Sequence, residues 1–131
     1  MTQKFYVCPF CGNIIDMVKP SSQKVVCCGK PMKELIPNSV DATQEKHVPV
    51  IKRNGTNVTV RVGSSEHPMT SDHSIEWIFL ETSKGNQRKC LKPGDKPEAC
   101  FSVCEEEDII CAMAYCNQHG LWKTDKLCCK K

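Results

Sequence analysis

Eleven cysteines in 131 residues constrain this chain more than any other feature of its sequence. Four of them form two pairs near the start, Cys8 with Cys11 in a C-x-x-C spacing and Cys27 next to Cys28, and a glycine follows each pair. An odd number does not fit a secreted framework of paired disulfides, and clustered cysteines in a reducing compartment more often bind metal. Four thiolates suit a tetrahedral zinc or iron ion. The pattern therefore predicts a metal site in the N-terminal segment.

The N-terminal segment is too small to fold around apolar side chains alone. Its strand-like runs, residues 4–7 and 24–27, are short and are separated by a Pro-Ser-Ser turn. A segment of this size needs a staple such as a metal to hold its shape. We therefore predict a first domain over residues 1–37 built around the four cysteines. A polar stretch without periodicity, residues 36–46, is typical of a linker.

Residues 38–131 carry the pattern of a second domain made of β-strands. Short apolar runs recur at a spacing of about 8–12 residues, with turn signals between them. The Asn-Gly dipeptide at residues 54–55 is a strong hairpin signal, and valines alternate with polar residues over 57–62. The expected architecture is an antiparallel β-sandwich in which His47 begins the first strand.

Two stretches of the second domain add detail to this expectation. Strict alternation over 75–80 predicts that Ile75 shares a face of its strand with Trp77 and Phe79. The stretch 103–114 has room for one helical turn, and no segment shows the period of a longer amphipathic helix. The predicted fold class is all-β, with a small metal-stapled N-terminal domain followed by the sandwich.

Charge and hydropathy argue against two classes of partner. The formal net charge is only +3, and no arginine-rich stripe is present, so a nucleic-acid-binding surface is not expected. No apolar run approaches the roughly 20 residues that a membrane-spanning helix needs. The first residues lack the apolar core of a secretory signal, which predicts a cytoplasmic protein without a membrane partner.

The histidines form the second candidate site. All of them lie in the second segment, at predicted strand ends or in loops: His47, His67, His73 and His119. Strand ends of a sandwich can bring such side chains to one rim, and Cys116 can join His119 from the same short turn. Four imidazoles and one thiolate exceed the four ligands that zinc prefers. Five such ligands suit iron and leave a sixth position open to a small molecule.

Six stretches of the sequence together resemble one known family, the superoxide reductases. In the second segment the matching stretches are EKHVPVI (45–51), HPMTSDHSIEWI (67–78), LKPGDKPEACF (91–101) and YCNQHGLWK (115–123). In the first segment, YVCPFCGNI and VVCCGKPM resemble the desulforedoxin module, which is related to rubredoxin. The combination is similar to desulfoferrodoxin, the two-iron form of superoxide reductase, over nearly the whole chain.

This resemblance implies two iron ions per chain. The first would be held by four thiolates, those of Cys8, Cys11, Cys27 and Cys28. The second would have four equatorial imidazoles and an axial thiolate, from His47, His67, His73, His119 and Cys116. Glu45 and Lys46 match a glutamate and a lysine that the family carries on a mobile loop near the open position. Glu45 is expected to occupy that position in the oxidised state, and Lys46 to attract the substrate.

The resemblance also implies a fold, a reaction and partners. The second domain, residues 38–131, is expected to be an immunoglobulin-like β-sandwich, and the chain to form a homodimer. Superoxide would combine with one electron and two protons to give hydrogen peroxide, so that the protein detoxifies superoxide under oxidative stress. The electron would come from a carrier such as rubredoxin. The four-thiolate iron would relay or store electrons and is not expected to be essential.

The residues alone leave other interpretations open. One is a zinc-stapled binding module in which the histidines are incidental, and another is an electron-transfer protein that uses only the four-thiolate iron. Six cysteines have no ligand role in the family pattern: Cys90, Cys100, Cys104, Cys111, Cys128 and Cys129. Cys100 and Cys111 lie in strand-like runs and are expected to be buried as small hydrophobes. Cys128 and Cys129 are expected to be exposed.

Overall fold

The structure is a computed structural model that describes the backbone of residues 3–129 and the side chains of residues 3–126. The chain divides into two compact units, Met1–Ile36 and Pro37–Lys131. Among the residues that the structure describes, the regular elements are β-strands apart from one short helix, so the predicted all-β class is confirmed. Within the described part of the chain, no helix combines the length and the apolar character that a membrane span requires.

The first unit consists of short strands. They are β1 (Lys4–Val7), β2 (Ile14–Met17), β3 (Val26–Cys27), β4 (Lys30–Pro31) and β5 (Lys33–Glu34). They form a three-stranded sheet in the order β2-β1-β5 and a separate β3-β4 hairpin. Its buried apolar side chains, among the residues described, are Phe5, Cys8 and Met32. So small a core contributes little stability, and a metal ion held by its cysteines would supply the staple that a unit of this size needs.

In the described part of the second unit, the first regular element is the helix and the others are strands. Its elements are α1 (Gln44–His47), β6 (Pro49–Asn54), β7 (Asn57–Val62), β8 (Ile75–Thr82), β9 (Gly85–Cys90), β10 (Glu98–Ser102), β11 (Ile109–Cys116), β12 (Gly120–Thr124) and β13 (Leu127–Cys129). Two four-stranded sheets result, in the orders β10-β7-β6-β13 and β12-β11-β8-β9. Neighbouring strands are antiparallel, except that β13 runs parallel to β6.

The core of the second unit lies between the two sheets. Val58, Val60 and Val62 of β7 are fully buried, as their alternation predicts, and pack in one cluster with Leu80 and other residues of the second sheet. The β6–β7 hairpin closes at Gly55, whose φ of 64° is a conformation that glycine adopts at little cost. The predicted sandwich is therefore confirmed.

The inner face of β8 differs from the predicted alternation. Ile75 lies in the core cluster with Ile78, on the side opposite to Trp77. The reason is a β-bulge: pairing with β11 passes over Glu76, so Cys116 lies opposite Ile75. The prediction that Ile75 shares a face with Trp77 is wrong. The bulge lies at the end of the sheet where the histidines are found.

Two local predictions of secondary structure are also corrected. The stretch expected to be a linker ends in helix α1, so His47 is the last residue of a helical turn, and the strand starts at Pro49. A four-residue helix has too little sequence to show a period, and tertiary contacts decide its formation. The stretch 103–114 contains no helix; its first part is a turn, and β11 begins at Ile109.

The additional cysteines fall into two groups. Cys111 is fully buried, as expected, and its thiol donates to Glu81 Oε1 at 3.6 Å. Cys100 is exposed, which contradicts the expectation of burial, because its side chain points away from the core, with Sγ 3.8 Å from Thr59 Oγ1. Cys90 and Cys104 are also exposed. The side chains of residues 128 and 129 lie outside the described part, so the expected exposure of those two cysteines stays a prediction.

The loop between β10 and β11 is held by two charged side chains, half-buried Arg53 and buried Glu107. Arg53 donates to the carbonyl oxygens of Cys104 at 3.0 Å and Glu105 at 3.2 Å and also to that of Glu107. The Glu107 carboxylate accepts hydrogen bonds from the Thr82 hydroxyl and, at 2.8 Å, from the Cys104 N–H. These donors, the Thr82 hydroxyl first, hold the pKa of Glu107 below its usual value.

We expect Glu107 to make the stability of the second unit depend on pH. A carboxyl group with a lowered pKa in the folded state stabilises the fold above its ordinary pKa of 4.5, and this contribution is lost as the pH falls through the folded-state value. Glu107→Gln should therefore lower the melting temperature at pH 7 and have less effect in acid. Thermal unfolding at both pH values, with exposed Glu105→Gln as the control, measures this. A difference from the parent protein that does not change with pH would contradict the prediction.

Candidate metal centres

The four cysteines predicted to bind metal come together in the first unit. We call this cluster of Cys8, Cys11, Cys27 and Cys28 the four-cysteine site; its sulfur atoms all lie within 4.8 Å of one another. The sulfurs of Cys11 and Cys27 are 3.6 Å apart. Two sulfurs at tetrahedral positions ~2.3 Å from a shared ion would be about 3.8 Å apart. The spacing therefore fits four thiolates around one metal ion.

Backbone conformation explains how two adjacent cysteines reach the same point. In an extended chain successive side chains point to opposite sides. Cys28 instead has a φ of 55°, in the left-handed region that residues other than glycine seldom adopt, and Gly29 follows with a φ of 76°. This tight turn brings the sulfurs of Cys27 and Cys28 to the same side. The sequence shows the missing spacer between them, but the left-handed turn that compensates for it has no signal beyond Gly29.

Without a bound cation, the thiols of this cluster differ widely in how readily they ionise. The N–H of Cys11 donates to the Cys8 sulfur and lowers the pKa of Cys8 to about 6. Hydrogen bonds with the sulfurs of Cys11 and Cys8 raise the pKa of Cys28 to about 12, because the neighbouring sulfurs share its proton. One thiol ionises easily while its neighbour holds its proton. A bound cation would allow all four to ionise together.

The histidines lie at the corners of a square in the second unit. Ring centroids of successive corners are 4.7 Å apart for His47 and His67, 4.7 Å for His67 and His73, 5.1 Å for His73 and His119, and 4.9 Å for His119 and His47. The diagonal from His47 to His73 is 6.4 Å. Neighbouring rings are close to perpendicular, at 73–89°. Together with Cys116, these residues form what we call the histidine–cysteine site.

The donor nitrogens of the square face one point. His47 Nε2 lies 3.2 Å from His67 Nε2 and 3.1 Å from His119 Nδ1. A square with edges of this length has its centre about 2.2 Å from each corner, close to the usual metal–imidazole distance. At the fourth corner, His73 Nε2 is also available to a metal ion, since it is buried and has no hydrogen-bond partner among the described residues. Buried polar atoms are nearly always satisfied, so the site fits a metal ion.

Hydrogen bonds of the outward nitrogens fix two of the rings. His47 Nδ1 donates to the Thr43 carbonyl oxygen at 2.7 Å, and His67 Nδ1 donates to that of Pro68 at 2.6 Å. A proton on Nδ1 leaves the Nε2 lone pair free to bind a metal ion. Burial lowers the pKa of His47 and His73, and that of His67 to about 4, so these rings are neutral at neutral pH.

Cys116 adds a sulfur atom to the same site. Its Sγ and the donor nitrogens of His47, His67 and His73 all lie within 4.8 Å of one another, and Sγ is 3.9 Å from His119 Nδ1. Burial raises the pKa of the thiol, whereas the main-chain N–H groups of Gln118 and His119 lower it. A buried thiolate without a nearby cation is unfavourable. The site therefore combines neutral nitrogen donors with a sulfur that ionises when a cation is present.

Trp122 supports the site and was not identified from the sequence. Its indole stacks on the His47 ring at a centroid distance of 4.9 Å, and its Nε1–H donates to the His119 carbonyl oxygen at 3.0 Å. It is almost fully buried. The only signal was its position three residues after His119, which places it on β12 directly after the turn. Trp122 thus holds two corners of the square at once.

The structure places Glu45 and Lys46 on helix α1, next to His47. Both side chains are exposed. Lys46 lines an open cavity of about 390 Å³ together with His67, and, in addition to burial, its positive charge contributes to the lowered pKa of His47 and His73. The main-chain carbonyl of Glu45 accepts hydrogen bonds from the N–H of Ser65 at 2.9 Å and from the Ser64 hydroxyl. Helix α1 is therefore anchored to the turn that follows β7.

Comparisons of the sequence with known proteins match both units to a single family. The family model described as "Desulfoferrodoxin, N-terminal domain" matches residues 1–35, and that described as "Desulfoferrodoxin" matches residues 39–125. A "Desulfoferrodoxin homolog" of Archaeoglobus fulgidus is 49% identical over 119 residues, which are 91% of this chain and 94% of that protein.

Solved structures agree with these sequence matches. The superoxide reductase from Treponema pallidum superposes with a TM-score of 0.80 at 34% identity, covering 95% of this chain and 99% of its own. The superoxide reductase (1Fe-SOR) from Giardia intestinalis has a TM-score of 0.53 at 40% identity and covers 61% of this chain and 95% of its own. Since two family models together span both units and a relative matches nearly end to end, the chain belongs to the desulfoferrodoxin family.

Proposed function

We propose that the protein is a superoxide reductase, which combines superoxide with one electron and two protons to give hydrogen peroxide. The observation that carries the proposal is the square of four histidines with the sulfur of Cys116 beside it. Structural relatives are named superoxide reductases. The reaction consumes one external electron for each superoxide, which distinguishes it from dismutation.

Two iron ions per chain fit the donor sets. Four thiolates would hold one ion at the four-cysteine site. The histidine–cysteine site would hold the other with five donors, His119 joining the four that lie within 4.8 Å of one another. When bound there, ferrous iron supplies the electron and an open position for a small anion. The neutral histidines add no charge, so one thiolate leaves the loaded site with a net positive charge. That charge and Lys46 would attract superoxide.

Several side chains have roles around the open position. Lys46 would bring a positive charge and a hydrogen-bond donor to the incoming anion and to the reduced oxygen species. The cavity that it lines also contains Glu66, Asp95 and Lys96, so the wider rim is mixed in charge. The attraction would therefore come from Lys46 itself rather than from a broad basic surface. Glu45 would occupy the open position in the oxidised state and leave on reduction.

The two domains would have different roles, one in the reaction with superoxide and the other in electron transfer. Residues 38–131 would carry the reaction, and residues 1–37 would hold an iron that relays or stores electrons from a carrier such as rubredoxin. The relative from Giardia intestinalis, described as 1Fe-SOR, covers 61% of this chain. This supports a reaction that does not require the N-terminal site. A homodimer and a cytoplasmic location belong to the same proposal.

Metal analysis and peroxide stoichiometry test the function. Two irons per chain and one peroxide formed per superoxide consumed, with a reductant present, are expected. One zinc per chain would favour a binding module instead. One peroxide for every two superoxides would indicate dismutation, and oxidation of the iron without peroxide would indicate simple electron transfer. A visible spectrum, oxidised and then reduced, would show which site changes its redox state.

Lys46→Ala is expected to slow the second-order reaction with superoxide about three- to tenfold at low ionic strength. The effect should shrink with added salt, because charges are screened beyond about 8 Å at physiological ionic strength. Pulse radiolysis across a salt series measures both quantities. Lys84→Ala, which removes the same charge at the opposite end of β8, is the control and should match the parent protein. Equal rates for parent and Lys46→Ala at low salt would refute the role of Lys46.

A further inference from the structure

The turn that carries Cys116 and His119 is joined to the loop that carries His73 mainly through Asn117. Its Oδ1 accepts a hydrogen bond from the Ser74 N–H at 3.0 Å, and its Nδ2 donates to the Asp72 carbonyl oxygen at 2.9 Å. Its main-chain N–H donates to the Ser74 carbonyl oxygen at 3.2 Å. The residues on both sides of His73 are thus bonded to Asn117.

These hydrogen bonds extend the sheet by one rung. The last pair between β11 and β8, beyond the bulge, is Cys116 with Ile75. Beyond it, the Asn117 amide offers a carbonyl and an N–H in the positions that a neighbouring backbone would supply. Gln118 Nε2 adds a second donor to the Asp72 carbonyl oxygen at 2.9 Å. Side-chain hydrogen bonds therefore hold the loop to the turn beyond the last main-chain pair of β8 and β11.

His73 depends on such fastening more than His47 and His67 do. His47 and His67 are oriented by their own ring nitrogens, which donate to main-chain carbonyls. Around His73, by contrast, the hydrogen bonds are made by its main chain: its N–H donates to Thr70 Oγ1 at 3.1 Å, and its carbonyl accepts from the Thr70 N–H at 2.9 Å. Its buried Nε2 has no partner among the described residues. The position of the ring is therefore set by the backbone on either side.

We propose that Asn117 is a positioning residue that sets the distance between His73 and the Cys116–His119 pair, so that these three side chains meet one metal ion. The inference rests on the proposed iron site. Asn117 lies between two of the ligands in sequence and bonds to both neighbours of a third. Without its amide, the loop 67–74 keeps its internal Thr70 bonds, the Gln118 bond to Asp72 and the main-chain bond from Asn117, but it loses the two side-chain bonds that fix both neighbours of His73 against the turn. The ligand set then loosens as a whole.

The test follows iron release from the protein loaded at both sites. A chelator is added, and the thiolate absorption of each site is recorded over time. Asn117→Ala should release iron from the histidine–cysteine site about 10- to 100-fold faster than the parent protein, the range expected for residues that orient metal ligands. The four-cysteine site serves as an internal reference, and its release rate should not change. Gln87→Ala, which removes a 2.9 Å side-chain hydrogen bond to the Ser102 carbonyl oxygen on the same unit, is the control.

Equal release rates for Asn117→Ala and Gln87→Ala would overturn the proposal. If Asn117→Ala does not fold, Asn117→Asp replaces it, since it keeps the shape and the acceptor for Ser74 but sets an oxygen against the Asp72 carbonyl. Its control is Asn57→Asp, which makes the same change at an exposed strand position. Asn117→Asp is expected to release iron faster than Asn57→Asp, and equal rates would again overturn the proposal. The parent protein separates the two hypotheses, because failure to bind two irons or to form peroxide refutes the function itself.

Discussion

Replacing Cys116 with serine is expected to abolish the thiolate-to-iron absorption of the histidine–cysteine site and to slow superoxide reduction by at least about 100-fold, more than the loss of a residue that only orients a ligand. A serine hydroxyl ionises far less readily than a thiol. Burial already raises the pKa of Cys116, and only the N–H groups of Gln118 and His119 and a bound cation offset it. The same N–H groups cannot make an alkoxide at neutral pH. Visible spectroscopy and pulse radiolysis measure the two effects.

The control for this prediction lies on the same strand. Cys111 is as buried as Cys116 and is paired with Glu81 across the sheet, away from the histidines. Cys111→Ser keeps a donor for Glu81 Oε1, so its absorption and turnover should match those of the parent protein. The pair of variants separates loss of a ligand from loss of a buried thiol. Unchanged colour and rate in Cys116→Ser would contradict the assignment of Cys116 as a ligand.

Alternation of apolar and polar residues, together with turn signals, predicted most of the fold of the second unit. The valines of β7 and the Asn-Gly turn before them are local signals, and each has the expected place. Ile75 broke the pattern because a bulge depends on how β8 and β11 pair, which one strand alone cannot show. Cys100 is exposed for another reason: a thiol is apolar enough to be expected inside, but side chains alternate along β10, and Ala99 and Phe101 on either side of it face the core.

The candidate metal centres could be predicted as residue types but not as an arrangement. Four histidines and Cys116 were expected to meet from their positions at strand ends and from the family resemblance. The orientation of each ring depends on carbonyl groups, those of Thr43 and Pro68, whose direction follows from the folded backbone. Asn117 likewise shows no pattern of its own, since an asparagine in a turn is common. Its importance appears only when its three hydrogen bonds to the His73 loop are seen together.

Gly63→Ala is expected to destabilise the second unit by about 2–3 kcal/mol, in the upper range for a side chain forced into a filled space. An added Cβ would lie 2.5 Å from the Glu45 carbonyl oxygen, 3.0 Å from that of Val48 and 3.1 Å from the Lys46 carbonyl carbon. All three are main-chain atoms, so no side chain can rotate away. Either the turn after β7 or helix α1 must move, and Ser65, which bonds to the Glu45 carbonyl, ties one to the other.

Movement of helix α1 should also affect the metal site, because the helix ends at His47. That ring has its donor nitrogen 3.1 Å from His119 Nδ1, and a small shift of the main chain removes it from the square. In Gly63→Ala, the amount of iron bound at the histidine–cysteine site should therefore decrease together with the free energy of unfolding. Gly55→Ala is the matched control: its φ of 64° makes alanine unfavourable by about 1–2 kcal/mol, but nothing lies within 4 Å of the added Cβ. It should lose stability and keep its iron, so equal iron content in both variants would show that helix α1 does not depend on Gly63.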